Sequence, residues 1–275
     1  TIGVIGQGYV GTAIKLGFQD HYKVLTYDKF DLAKSTHSKI SDLVDETEVI
    51  FVCVPTPMRK DGTCYTGIVE EVIREINETA KDHIVVIKST VPPGTTNKFN
   101  HEFSNVTVIF NPEFLTEENF LDDFKNQNRI ILGGSRKGTN KLRQIYSKVF
   151  PKAVIVKTGD KHAEMVKYFT NTFLATKVSF ANEMYNICEQ IGIDYDKVVE
   201  YAIYDERLGK SHWAVPGPDG DFGFGGHCFP KDLSAIINQF DTYGLLESVE
   251  EVNNQVREDR DWEHMVGRAV LEEDE

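Results

Sequence analysis

The chain opens on short, unbroken runs of β-branched and aliphatic residues separated by amphipathic stretches. Residues 2–5, 22–27, 49–54, 84–88, 106–110, 129–132 and 153–156 read as strands. Nearly all are apolar throughout rather than alternating, as strands buried on both faces of a parallel sheet should be. Between several of them apolar positions recur at helical spacing, as over 68–79. This repeated strand–helix pattern predicts a doubly wound sheet. After Thr158 the pattern changes. No helix breaker interrupts 161–190, and Met165, Phe169, Phe173, Phe180 and Tyr185 are expected to supply the apolar contacts of one long helix. A second helical stretch covers 195–204, a Gly/Pro-rich loop covers 216–230, and a final helical region leads to the acidic tail LEEDE. The predicted fold class is α/β. A doubly wound, mostly parallel sheet over 1–158 is followed by an all-helical domain over 159–275.

Charge narrows the function classes. Thirty Lys+Arg against forty-three Asp+Glu give a formal net charge of -13. Nucleic acid and anionic membrane surfaces are disfavoured partners, since both need a basic face. No apolar run approaches the roughly 20 residues that span a bilayer. The chain starts directly on a strand, with no basic segment leading into an apolar one, so no secretory signal is expected. Cys53, Cys64, Cys188 and Cys228 form no CxxC pair and no dense framework. A reducing, cytoplasmic location is the simplest expectation, and no metal site is expected.

Three segments carry candidate chemistry. Gly6-Gln7-Gly8-Tyr9-Val10-Gly11 is a GxGxxG that ends a strand and opens a helix. Its glycines allow a tight turn, close approach of a pyrophosphate and close helix–strand packing, which makes the sheet Rossmann-type. Asp28 follows the next strand; a carboxylate there accepts both ribose hydroxyls and repels a 2′-phosphate, which favours NAD over NADP. Lys29 sits beside it. The second segment runs from Gly223 through Gly225 and Gly226 to His227, Cys228, Pro230, Lys231 and Asp232. Lys231 and a helix N-terminus would favour a thiolate at Cys228. On this loop alone, a buried structural cysteine stands equally open. The third is the pair Lys167 and Asn171, spaced to share a helix face, which can hold an alcohol oxygen or an oxyanion. A solvated helix face explains that pair as well. Glu113 and Glu117, also spaced i, i+4, follow a strand where open sheets place ligands; a general base and an acidic first helical turn both fit. Lys88-Ser89-Thr90 likewise ends a strand and offers hydroxyls.

Taken in order, GQGYVG, VPTP at 54–57, KSTVPPGTT at 88–96, NPEFLTE at 111–117, AEMVKYFTNTFLATKVSFANE at 163–183, DERLG at 205–209 and GFGGHCFPKD at 223–232 resemble the UDP-glucose/GDP-mannose dehydrogenase family. The resemblance implies a four-electron oxidation of a sugar C6 alcohol to a carboxylate with two NAD. It implies Cys228 as the nucleophile that forms a thiohemiacetal and then a thioester. Lys167 and Asn171 would hold the C6 oxygen, and Asp232 would position water or assist proton transfer. Thr90 and Glu117 would orient the water, with Glu117 as base. Cofactor contacts are implied at Gly6, Gly8, Tyr9, Val10, Gly11, Asp28, Lys29, Thr56, Thr90, Glu117 and Lys231. Substrate contacts are implied at Glu113, Phe114, Leu115, Lys167, Asn171 and Gly225, with Arg207 reaching the neighbouring subunit's substrate. The expected partners are therefore a small-molecule nucleotide sugar, UDP-glucose first, and a second copy of the chain in a homodimer.

The family's third, nucleotide-gripping domain would begin near Val252-Asn253, and the chain is expected to lack it. Tyr65 and Thr116 depart from the family pattern, and the loop 207–228 is longer. The alternatives are a two-electron β-hydroxyacid-type dehydrogenase, which needs no catalytic cysteine, and a non-catalytic NAD-binding protein.

Overall fold

The computed structural model describes residues 1–79 and 81–272, so the end of the acidic tail lies outside the described residues. Seven strands form one sheet: β1 (Ile2–Ile5), β2 (Val24–Tyr27), β3 (Val49–Val52), β4 (His83–Ile87), β5 (Val106–Phe110), β6 (Arg129–Gly133) and β7 (Val154–Thr158). Between them lie α1 (Tyr9–Phe18), α2 (Ile40–Asp45), α3 (Gly67–Asn77), α4 (Thr95–Glu102), α5 (Phe120–Lys125) and α6 (Arg136–Val149). Each strand falls where the apolar runs place it, with ends moved by a residue or two, as is usual at element boundaries.

The sheet order is β2-β1-β3-β4-β5-β6-β7. Neighbours from β2 through β5 are parallel; β5 and β6 meet antiparallel at Phe110 and Gly133, and β6 pairs with β7 in parallel. The unbroken apolar runs are explained by cover on both faces. Ile50, Val52, Val85, Ile87, Val108 and Phe110 enter one core layer, whereas Val49, Phe51, Ile84, Val86 and Ile109 enter the other. Each large side chain fully buried in these layers contributes roughly 1.5–3 kcal/mol. The chain leaves β1 towards β2 on one side and returns to β3 on the other. The crevice at this reversal, outside the carboxyl ends of β1 and β3, is where such sheets bind ligands.

A 32-residue helix, α7 (Asp160–Ile191), follows β7. The chain then forms α8 (Tyr195–Ala202), α9 (Phe229–Gln239) and α10 (Leu245–Val256). Two compact units result: Thr1–Thr56 with Thr66–Lys167, and Pro57–Tyr65 with the chain from Tyr168 onward. This differs from the expected boundary at 158 in two ways. The start of α7 belongs with the sheet, because Glu164 accepts the backbone N–H groups of Gly94 (2.6 Å) and Thr96 (2.8 Å). Residues 57–65 belong with the helices, because Met58 accepts from Leu271 N–H and donates to the Ala269 carbonyl, both at 2.8 Å.

The aromatic positions of α7 are a correction. Met165, Phe169, Phe173 and Phe180 were expected to supply internal contacts, yet all are exposed, Phe169 by 71%. Tyr185 packs inward, with its ring centroid 5.5 Å from those of both Tyr195 and Phe222, and Phe180, though exposed, meets the Trp213 ring edge-on at 6.4 Å. The inner face is instead mostly small and polar, with Asn171, Ala175, Ser179, Ala181 and Asn182 buried beside Tyr168. Periodicity locates a stripe on a helix but does not say which stripe faces inward. Among the described residues no helix is long and apolar enough to cross a membrane.

Candidate active site

In the first unit, β1 ends in the loop 6–11. Gly6 sits at φ +89°, where a Cβ would come 2.6 Å from the Cys53 carbonyl oxygen; a Cβ on Gly11 would stand 1.8 Å from the Gly6 carbonyl oxygen. Both positions therefore require glycine. Gly8 differs: no protein atom lies within 4 Å of the place its Cβ would take. It caps α1, a ten-residue helix, and the empty space beside it leaves room for an anion at the helix N-terminus. Tyr9 packs edge-on against Phe120, and Val10 packs into the core below.

Asp28 directly follows β2. Its Oδ2 accepts the Gln7 N–H at 2.6 Å, and its Oδ1 accepts those of Phe30 and Asp31 at 2.9 and 3.0 Å. The carboxylate is thus held against the glycine loop, with lone pairs left for ribose hydroxyls. Lys29 is exposed and lies 5.8 Å from the Phe30 ring centroid. A helix N-terminus with room for an anion, followed by a fixed carboxylate, fits the pyrophosphate and ribose of a dinucleotide. At the carboxyl ends of β3 and β4, Thr56 Oγ1 donates to the Thr90 carbonyl (2.8 Å) and Ser89 Oγ donates to that of Val54 (2.6 Å). Thr56 and Thr90 are both buried.

Beyond β5 the expected acidic helical turn is absent. Residues 111–116 form a loop, in which Glu113 is buried and Glu117, further on, is exposed. The Glu113 carbonyl and carboxylate are taken by Lys167 and the Leu115 N–H rather than by a helical turn. Glu113 instead holds Lys167: the ammonium donates to the Glu113 carbonyl at 2.7 Å and to Oε1 at 2.9 Å. Oε2 accepts the Leu115 N–H at 2.7 Å. Phe114 stacks under the Arg129 guanidinium, 4.2 Å from ring centroid to Cζ. The loop is therefore built around a buried ion pair at the carboxyl end of the sheet.

Beneath it lies a residue whose role the sequence reading passed over. Lys88, a lysine ending an apolar strand, is only 5% exposed and donates to Asn111 Oδ1 at 3.0 Å. Tyr146 OH donates to the same oxygen at 2.5 Å. Burial pushes the Lys88 pKa down to about 8, against a smaller opposing pull from Glu113. The unfolded chain then binds more protons than the folded one between about pH 8 and 10.5, so this group's contribution to stability rises with pH through that window. Relative to a Lys88→Met variant, the wild-type melting temperature is expected to gain between pH 7.5 and 10, by a difference worth up to about 3 kcal/mol. A difference independent of pH would contradict this.

In the second unit, Cys228 is the N-cap of α9, with Pro230 in the first turn. The next two residues are buried: Lys231 Nζ donates to Asp232 Oδ1 at 2.5 Å, and Asp232 Oδ2 accepts from Asn171 Nδ2 at 2.7 Å. Burial works against the Lys231 charge, but Asp232 beside it outweighs that and holds the ammonium above the ordinary lysine range. Asp232 is 1% exposed and thus fixes Lys231 on one side and Asn171 on the other. Arg207 stands on an exposed turn, where it pairs with Asp205. A Cβ on Gly225 would meet Arg257 Nη2 at 2.2 Å and Asp261 Oδ1 at 2.4 Å. These two were not foreseen, since nothing in the local sequence links residues so far from the loop to it.

The structure thus places Gly6, Gly8, Tyr9, Val10, Gly11, Asp28, Lys29, Thr56, Thr90, Glu113, Phe114, Leu115, Glu117 and Lys167 in the first unit. It places Asn171, Arg207, Gly225, Cys228, Lys231 and Asp232 in the second. Glu113 is brought to Lys167, and Asp232 to both Asn171 and Lys231.

Residues 29–150 match the model of the NAD binding domain of the UDP-glucose/GDP-mannose dehydrogenase family, and residues 161–255 match its central domain. A UDP-glucose 6-dehydrogenase of Haloferax volcanii is 32% identical over 92% of this chain and 69% of its own length. The chain belongs to the UDP-glucose/GDP-mannose dehydrogenase family. Another similar protein, a UDP-glucose 6-dehydrogenase of Rickettsia bellii, is 38% identical over 76% of this chain and 50% of its own length. The chain therefore spans between half and about two thirds of these relatives. A solved UDP-glucose dehydrogenase from Pyrobaculum islandicum is similar at 30% identity and a TM-score of 0.82, over 93% of this chain and 67% of that one. The match to the NAD binding domain begins at residue 29, directly after Asp28. Arg257 and Asp261 lie beyond the stretch that matches the central domain.

Proposed function

We propose that the chain is an NAD-dependent nucleotide-sugar 6-dehydrogenase that oxidises the C6 alcohol of UDP-glucose to the carboxylate of UDP-glucuronate. The observation that carries this reading is Cys228 at the head of α9, followed by the buried Lys231–Asp232–Asn171 array. A two-electron alcohol dehydrogenation needs no thiol; oxidation to the acid does, because the aldehyde must be held and then opened to water.

NAD, held by the 6–11 loop and Asp28, supplies the hydride acceptor for both oxidations when bound. Lys167, anchored by Glu113, and Asn171, anchored by Asp232, donate to the C6 oxygen and stabilise it as an oxyanion. The Cys228 thiolate adds to the aldehyde carbon to give a thiohemiacetal, and loss of its C6 hydride leaves a thioester. Water oriented by Thr90 and deprotonated by Glu117 attacks the thioester; the C–S bond breaks and Cys228 leaves as thiolate. Asp232 assists the proton transfers. Glu113, Phe114, Leu115 and Gly225 line the sugar-nucleotide site, and Thr56 and Lys231 contact the cofactor. The reading is tested by NADH formation with UDP-glucose set against GDP-mannose: turnover on GDP-mannose alone, or on neither, would remove it.

The chain works as a homodimer. Phe169, Phe173, Phe180, Ile187 and Ile191 run along one exposed side of α7 at spacings of four and seven. So much exposed aromatic surface on one helix marks an interaction site, and Arg207 then serves the neighbouring subunit's substrate. Phe173→Glu is expected to shift the mass in sedimentation equilibrium from dimer to monomer; an unchanged dimer would contradict the assignment. That the four cysteines are not joined in disulfides fits a reducing, cytoplasmic location.

A further inference from the structure

The glycine-rich loop ahead of Cys228 is gripped by a segment outside the family match. Arg257 is 7% exposed, yet it faces three carboxylates. Its Nη2 lies 2.7 Å from Asp219 Oδ2 and 3.4 Å from Asp261 Oδ1, and its Nε lies 3.4 Å from Asp221 Oδ2. Its Nε also donates to the Asp259 carbonyl at 2.7 Å, and its Nη1 to that of Phe222 at 3.4 Å. Asp261 reaches further along the loop: both of its oxygens accept the Gly226 N–H at 3.1 Å, two residues before Cys228. Asp221 closes the lacing by accepting the Asp259 N–H at 2.9 Å. Gly225 has no room for a side chain because Arg257 and Asp261 occupy it. The close approach that its glycine permits is made by the protein itself.

We infer that Arg257 and Asp261 are positioning residues for the nucleophile, setting the backbone of 219–226 and through it the placement of Cys228. The physical basis is a counting of charges. Three aspartates converge on one guanidinium, whose planar fork is suited to several carboxylates at once. Without it they repel, and the two strands of loop separate. Asn182 and Asn253 hold Gly223 and Phe224, while Gly225 and Gly226, the latter at φ +71°, meet Arg257 and Asp261. A nucleophile carried on such a loop depends on outside bracing, and a displacement of about 1 Å can cost roughly 100-fold in rate.

This inference rests on the reading of Cys228 as nucleophile, so the test includes a readout that does not need turnover. Four proteins are compared: wild type, Arg257→Met, Arg257→Lys and Asp261→Asn. For each, kcat and KM with UDP-glucose, NAD affinity, melting temperature and the iodoacetamide alkylation rate of Cys228, resolved by peptide mass spectrometry, are measured. Arg257→Met is expected to lower kcat about 100-fold and Asp261→Asn about 10-fold, with NAD affinity within about twofold of wild type. Arg257→Lys recovers only part of the loss, because an ammonium lacks the fork. Cys228 alkylation changes by more than about threefold in Arg257→Met and Asp261→Asn, following its altered exposure. Should Arg257→Met not fold, Asp261→Asn, which leaves Arg257 with two carboxylates, decides. Wild-type kcat and alkylation rates in Asp261→Asn and Arg257→Lys would overturn the inference. No NADH from the wild type on any sugar nucleotide would instead overturn the functional reading, and the alkylation rates would still decide the brace.

Discussion

Cys228→Ser is expected to bind NAD with wild-type affinity and to form NADH from UDP-glucose at least roughly 10⁴-fold more slowly over the full reaction. A serine hydroxyl is far less ionised than a thiol at neutral pH. It cannot trap the aldehyde as a readily oxidised adduct, and an oxygen ester would release the product more slowly than a thioester. The 6–11 loop and Asp28, which hold the pyrophosphate and ribose, belong to the other compact unit and keep their geometry. A steady-state assay at 340 nm with a parallel NAD titration checks both halves. Turnover within about tenfold of wild type would take Cys228 out of the chemistry.

Lys167→Met carries the second large effect, and it falls on stability as well as rate. The substitution leaves the Glu113 carboxylate, 8% exposed, without its nearest cation. Breaking a buried pair in this way costs about 3–5 kcal/mol, on the order of 10 °C in melting temperature for a chain of this size. Turnover should fall roughly 10²–10³-fold, as expected for loss of one oxyanion donor. The double variant Lys167→Met/Glu113→Gln separates the two. Neutralising Glu113 should restore much of the stability while activity stays lost. Recovery of activity together with stability would make Lys167 a purely structural lysine.

Most of the sheet was readable because its central strands, such as β3 with all of Val49–Val52 buried, are apolar on both faces, and a pattern of that kind survives inspection one residue at a time. The 6–11 fingerprint was readable for the same reason: its steric demands, at Gly6 and Gly11, are local. What escaped was set by contacts distant in sequence. The Glu113–Lys167 pair spans 54 positions, and Asn171–Asp232 spans 61. The spacing of Glu113 and Glu117 mimicked a helix, whereas the Glu113 carbonyl is taken by Lys167, 54 positions away. The aromatic positions of α7 were found, but their direction was not, since an exposed apolar stripe carries the same periodicity as a core face. Residues 57–65 read as a loop of the first domain, and only their pairing with 269–271 assigns them to the second unit.

The central claim is a four-electron oxidation through Cys228. Its most direct test is the number of NADH formed per UDP-glucose consumed, with iodoacetamide-treated protein alongside. The account predicts two NADH per sugar, abolished once Cys228 is alkylated. One NADH per sugar, or turnover that survives alkylation of Cys228, would contradict it.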